Sequence, residues 1–155
     1  MIKNDQDIIN RLNELFAGDT QGIEKLPLGV KDKYAVFSDI HLGNGKKSDN
    51  FAHNEETMQT ALGYYKDKKY SLILLGDIEE FWQFSFKKIC KQYEPGVYSL
   101  LRSFPEGTVH RVAGNHDIEW AGLPDPISQT HDKEYGFPEA IRLGDFIFMV
   151  HGHQG

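Results

Sequence analysis

The side chains able to do chemistry in this chain fall into four short clusters, each just past an apolar run. They are Asp39 and His41 in FSDIH, Asp77 in LLGD, Asn115 and His116 in AGNHD, and His151 and His153 in MVHGH. Asp39 and His41 are two residues apart, a spacing that at the end of a strand lets both side chains leave one face and grip one ion. Asp77 and Asn115 each follow a glycine, Gly76 and Gly114, whose missing side chain allows a tight turn beside the ligand. Carboxylates, imidazoles and one amide, without cysteine, suit manganese, iron, zinc or magnesium rather than a soft metal. Any one of these residues alone is an ordinary turn former. Four such clusters in succession point to a metal site.

Those clusters need strands to deliver them. YAVF, SLILL and TVHRV are apolar, β-rich runs that each end in polar, glycine-containing sequence, as buried strands feeding loops do. Between the first two, Met58, Ala61, Leu62 and Tyr65 recur at helical spacing. Between the second and third, EFWQFSFKKIC and, after Pro95, Val97, Leu100, Leu101 and Phe104 predict two further helical segments. Strand and helix alternating in this way predict the α/β class, in which ligands bind at the carboxyl ends of the strands. Upstream, Ile8, Ile9, Leu12, Leu15 and Phe16 predict an amphipathic helix over 5–17, capped by Asn4 or Asp5, and GDTQGIEKLPLGVKD reads as a connector. Residues 118–138, proline-rich and without periodicity, read as a long loop, and EAIRLGDFIFMVH as two strands joined by a two-residue hairpin at Gly144 and Asp145.

Length and composition bound the rest. A chain of 155 residues suits one domain, divided here into an N-terminal helix and connector over 1–30 and a main body over 31–155. The 17 basic and 23 acidic side chains leave a net charge of −6 without any basic cluster, so nucleic acid is not an expected partner. The single cysteine, Cys90, reads as a buried thiol in a reducing compartment. No run reaches membrane-spanning length and the N-terminus has no leader pattern, which predicts a cytoplasmic protein. His53, His110 and His131 read as surface or core residues, Phe81, Trp82, Phe84 and Phe86 as helix core, with an aromatic wall for an apolar or nucleoside substrate as the alternative, and Lys46 and Lys47 as a solvated loop. Trp120 reads equally as lining the site or covering it.

Asp-x-His at 39–41, Gly-Asp at 76–77, Gly-Asn-His-Asp at 114–117 and the histidine opening His-Gly-His at 151, in that order, resemble the calcineurin-like metallophosphoesterase family over residues 34–155. SDIHLG with GDIEEFW is similar to the branch containing UDP-2,3-diacylglucosamine hydrolases, which usually has arginine where His116 stands. The resemblance implies a four-layer α/β/β/α sandwich and two divalent ions, with manganese expected and iron, zinc or magnesium as alternatives. One ion would take Asp39, His41 and a bridging Asp77; the other would take Asp77, Asn115 and His151, with His153 a weaker candidate. A metal-bridging hydroxide would then cleave a phosphomonoester, phosphodiester or pyrophosphate bond of a phosphorylated small molecule or nucleotide-type substrate. His116 would protonate the leaving oxygen, oriented by Glu80 or by Asp117.

The family pattern usually closes on a Gly-His-x-His motif, but the sequence at 152–155 has glycine where the second histidine belongs. This predicts a partial sandwich lacking its C-terminal part, weak metal binding and low activity for this chain, and an apolar edge at 146–150 open to pairing. The competing expectation is a catalytically impaired scaffold that keeps the fold. A nucleotide-binding module is disfavoured, because no GxGxxG or P-loop follows any strand.

Overall fold

The computed structural model describes residues 5–17, 22–117, 127 and 137–153. Strands β2 (Tyr34–Phe37), β3 (Ser71–Leu75) and β4 (Val109–Val112) form one parallel sheet in the order β2-β3-β4. The central strand, SLILL, is apolar throughout because both of its faces are covered. Leu72 and Leu74 point into the larger core with the helices, while Ile73 between them points into a second core with Val112, Ile141 and Leu143. Leu72 and Leu74 are inaccessible to solvent, a burial worth about 1.5–3 kcal/mol per side chain.

Helix α2 (Glu55–Asp67) covers the sheet through Met58 and Leu62, and Glu55 and Glu56 in its first turn complement the helix dipole. The two helical segments expected next are one run: α3 (Phe86–Tyr93), a π-turn over Glu94–Tyr98, and α4 (Ser99–Arg102). Pro95 lacks the N–H of a regular helical ladder and its ring crowds the preceding turn, so the chain widens locally instead of breaking. The run also begins later than EFWQFSFKKIC suggests. Residues 81–84 are a turn, held by Glu80 N–H donating to Leu42 O (3.0 Å) and Phe84 N–H to Glu80 O (3.0 Å).

The second sheet has the order β1-β5-β6, from β1 (Ile23–Leu26), β5 (Ala140–Leu143) and β6 (Ile147–Val150). The stretch expected as a connector therefore holds a strand, parallel to β5 and paired Ile23 to Ala140 through Leu26 to Leu143. β5 and β6 form the expected hairpin, but Leu143 pairs with Ile147, leaving a three-residue loop, 144–146, with Gly144 at φ +53°. The two sheets face each other across the Ile73, Val112, Ile141 and Leu143 cluster. His110 of β4 joins them at one edge, its Nδ1 2.8 Å from Glu24 Oε1 of β1.

Helix α1 (Asp5–Ala17), at the bounds expected, lies on the outer face of the second sheet. There Phe16 meets Phe148 edge-on at 5.6 Å, the Arg142 guanidinium sits 5.5 Å from the Phe16 ring centre, and Arg11 pairs with Glu139 at 2.6 Å. The molecule is thus a mixed α/β protein in which helices, sheet, sheet and helix are stacked. Of the expected loop at 118–138, Ile127 is buried in the larger core; Trp120 and His131, like the suggested cap Asn4, lie outside the described residues. Among the described residues no helix is long and apolar enough to cross a membrane.

Candidate metal centre

The loops after β2 and β3 are stitched together by their backbones. Asp39 N–H donates to Gly76 O (3.2 Å), His41 N–H to Asp77 O (3.0 Å) and Leu42 N–H to Ile78 O (2.7 Å), with Leu42 and Glu79 forming an isolated parallel bridge. Asp39, His41 and Asp77 all adopt left-handed backbone, with φ of +55°, +54° and +53°. That conformation is rare outside glycine and is kept only where surrounding structure enforces it. The third loop docks through His116, whose N–H donates to Asp77 Oδ1 (2.9 Å) and whose carbonyl accepts from Phe81 N–H (3.2 Å). Gly114 is required there, since a Cβ at this position would fall onto Asp77 Oδ1 and the Asp77 backbone nitrogen.

These loops bring the carboxylates and imidazoles together around Asp77. Within 4.8 Å of one another lie ligand atoms of Asp39, Asp77 and His151, and likewise of His41, Asp77 and His116. Asp77, with its side chain only 5% exposed, belongs to both groups, while Asp39 is largely open to solvent. His41 Nε2 is 3.9 Å from both Asp39 Oδ1 and Asp77 Oδ2, and His151 Nε2 is 3.2 Å from Asp77 Oδ2. His116, expected as a proton donor, stands within ligand reach of His41 and Asp77. Asn115 lies half-buried between Gly114 and His116 in the same loop.

The other ring nitrogens decide what the histidines offer. His41 Nδ1 is 3.1 Å from Glu80 Oε2, His116 Nδ1 is 2.9 Å from Glu80 Oε1, and His151 Nδ1 is 2.9 Å from Leu75 O. A carboxylate or a carbonyl only accepts, so each Nδ1 carries the proton and each Nε2 keeps its lone pair for a cation. Hydrogen bonds of this type commonly fix histidine ligands of metals. Glu80, 5% exposed, therefore holds two histidines at once, whereas the sequence suggested it only for His116.

Asp117 is placed differently. Its Oδ2 accepts Ile78 N–H and its Oδ1 accepts Gly114 N–H, both at 2.7 Å, and the side chain is 1% exposed with Arg111 4.0 Å away. Both oxygens are thus committed to the backbone of two loops, and it is Glu80 that stands against the His116 ring. Beneath, Glu79 is buried in an ion pair with Arg111 and accepts the Tyr98 hydroxyl (2.9 Å).

His153 belongs to neither ligand group. Its ring centre is 5.6 Å from that of His151, and among the described residues its buried Nδ1 finds no hydrogen-bond partner. Burial, then the nearby His151, pulls its pKa below the ordinary imidazole value against the opposing pull of Asp77. Trp82, read mainly as helix core and otherwise as part of a substrate wall, is instead a neighbour of His116. It is exposed on a turn rather than in a helix core, and its indole stacks on His116 with ring centres 3.7 Å apart and planes at 28°. Phe84, by contrast, is core as expected; His53 is exposed and His110 buried.

The donor set fits divalent cations. A buried carboxylate is shared between two groups, and three imidazoles have their lone pairs freed by hydrogen bonds on the opposite nitrogen. Residues 33–154 match the family model for calcineurin-like phosphoesterases. No curated protein matches the chain.

Proposed function

The chain belongs to the calcineurin-like phosphoesterase family, whose chemistry is metal-dependent phosphoester hydrolysis, and we propose that it hydrolyses a phosphorylated small molecule with two divalent cations, manganese foremost. The observation that carries this is Asp77, a buried carboxylate common to both ligand groups. Asp39, Asp77 and His151 would hold one ion, and His41 with Asp77 the other, with Asn115 in the same loop as a further oxygen ligand. Ions bound there supply Lewis-acid charge for the phosphoryl oxygens and an activated water at neutral pH.

The chain's own residues do the rest. Glu80 holds the His41 and His116 rings in one tautomer. Held in this way, His116 is oriented toward the centre, where it would hydrogen-bond or protonate the leaving oxygen. The indole of Trp82 covers one face of the same ring, limiting its rotation and its access to water. The buried Glu79 and Arg111 pair fixes the backbone of the loop that carries Asp77. Kinship with the UDP-2,3-diacylglucosamine hydrolase branch and a cytoplasmic location are parts of the same proposal, resting on SDIHLG, GDIEEFW and the sequence composition.

The test uses purified protein stripped with chelator and reloaded with manganese, assayed on p-nitrophenyl phosphate and bis(p-nitrophenyl) phosphate. Hydrolysis should appear on reloading and fall at least about 100-fold in Asp39→Asn and His116→Ala, the scale of losing a general acid or a ligand. Equal rates before and after reloading, or unchanged rates in both variants, would leave the scaffold alternative standing.

A further inference from the structure

A cavity of about 290 Å³ opens beside the candidate metal centre, with Asp39, His41 and Glu80 on its inner side and Ser48, Asn50, Asn54 and Gln83 around the rest. From this we infer that the recess is the leaving-group pocket and takes a neutral, hydroxyl-rich group, so that the substrate is a phosphate ester of a sugar or polyol. The inference rests on the phosphoesterase reading above.

Three observations point the same way. First, among the described residues the pocket wall away from the centre carries, beside the apolar Ile40 and Phe51, only uncharged polar groups: one hydroxyl and three carboxamides, each able to donate and accept. Lys46 and Lys47 are on the same loop but do not line it, so among the described residues no cation there awaits a second phosphate. Carboxamides and hydroxyls match alcohols, which also do both. Second, the aromatic residue in the lining, Phe51, is 6% exposed and turned against Tyr93 at 5.6 Å, so it offers no open ring face for a base to stack on. The volume, about 290 Å³, lies at the lower end for small-molecule sites, room for about one sugar ring.

Third, the rim is held by the chain's own hydrogen bonds. Asp49, 5% exposed, accepts Gly45 N–H (2.7 Å) and the Tyr93 hydroxyl (2.5 Å) on one oxygen, and Phe51 N–H (2.9 Å) and Ala52 N–H (3.2 Å) on the other. Four hydrogen bonds to one buried carboxylate fix the loop that presents Ser48 and Asn50. A preformed pocket avoids the ordering cost of binding.

The test is the double variant Asn50→Ala and Gln83→Ala, both exposed side chains and neither in the catalytic set. In the manganese-loaded protein, kcat/KM for glucose 1-phosphate and glycerol 3-phosphate should fall about tenfold, the scale of one or two neutral hydrogen bonds, with p-nitrophenyl phosphate unchanged within about twofold. Equal losses on all esters, or a loss confined to adenosine 5′-monophosphate, would overturn the assignment. A second arm needs no turnover: saturation-transfer NMR of methyl glucoside with metal-free protein, expected for the parent and lost in the double variant. If no ester is hydrolysed but this signal behaves as expected, the recess stands and the phosphoesterase reading fails. Hydrolysis of p-nitrophenyl phosphate without any sugar preference or saturation transfer sinks the recess alone.

Discussion

Asp117→Asn separates two jobs that one acid could have. The substitution keeps the shape of the side chain but turns one oxygen into an NH2 group, which then faces the N–H of either Ile78 or Gly114, donor against donor. In the parent both N–H groups donate to the carboxylate at 2.7 Å, inside a site where the side chain is 1% exposed. A hydrogen bond to a charged group contributes about 1.5–3 kcal/mol, and a buried donor left without an acceptor carries a further desolvation penalty. Loss of the negative charge 4.0 Å from Arg111 adds to this. The total is about 3 kcal/mol, or a drop of roughly 6–12 °C in Tm for a chain of this size. Urea denaturation followed by tryptophan fluorescence should show a lower midpoint with an unchanged slope. A variant of full stability that has lost activity would refute the assignment of Asp117 as a staple between the two loops and return it to the chemistry of His116.

Glu80→Gln leaves one acceptor for two Nδ1–H groups, so either His41 or His116 loses its fixed tautomer; manganese affinity by calorimetry should fall about 10- to 100-fold, and an unchanged affinity would show that Glu80 does not orient a ligand. In Gly114→Ala the added methyl meets Asp77 backbone, which cannot swing away. A loss of about 3 kcal/mol or more is expected in thermal unfolding, and a Tm within about 2 °C of the parent would contradict the packing described. Cys90 is half-buried rather than buried as expected, yet its thiol, pushed up to about 11 first by that burial and then by Glu79 and Glu94, has about one-hundredth of the thiolate of an ordinary cysteine at neutral pH. Labelling by iodoacetamide at pH 8 should be correspondingly slow in the native protein and rise on unfolding. Labelling at the free-cysteine rate in the native state would rule out that burial.

The central strand of the first sheet was legible because a parallel strand buried on both faces is written as an apolar run, and LILL is one. β1 was not, because IEKL is four residues long, half of them charged, and is recognisable as a strand only through its partner β5, far along the chain. Pro95 was read as a break since proline cannot join a regular helical ladder; a π-turn is a solution that depends on packing from both sides. The residues around Asp77 announced themselves by type and spacing. Glu80's second partner did not, because it depends on the Leu42 and Glu79 bridge bringing His41 within 3.1 Å. Trp82 was assigned to a helix core by its aromatic neighbours, and only the turn at 81–84 exposes it to stack on His116.

The left-handed backbone at Asp39, His41 and Asp77 bears on how this protein can change over generations. Each of these non-glycine residues costs on the order of 1–3 kcal/mol in that conformation, so the three together weigh against a fold whose whole margin is commonly about 5–15 kcal/mol. Glycine at 39 and 41 would relieve the cost there and keep the turns, whereas at 77 it would also remove the buried acceptor of His116 N–H. A lineage freed from the need for hydrolysis therefore gains stability by losing its chemistry at 39 and 41 first. A descendant that had become a silent copy would carry glycines at those two positions while Asp77, Asp117, Gly114 and the Glu79 and Arg111 pair stayed in place.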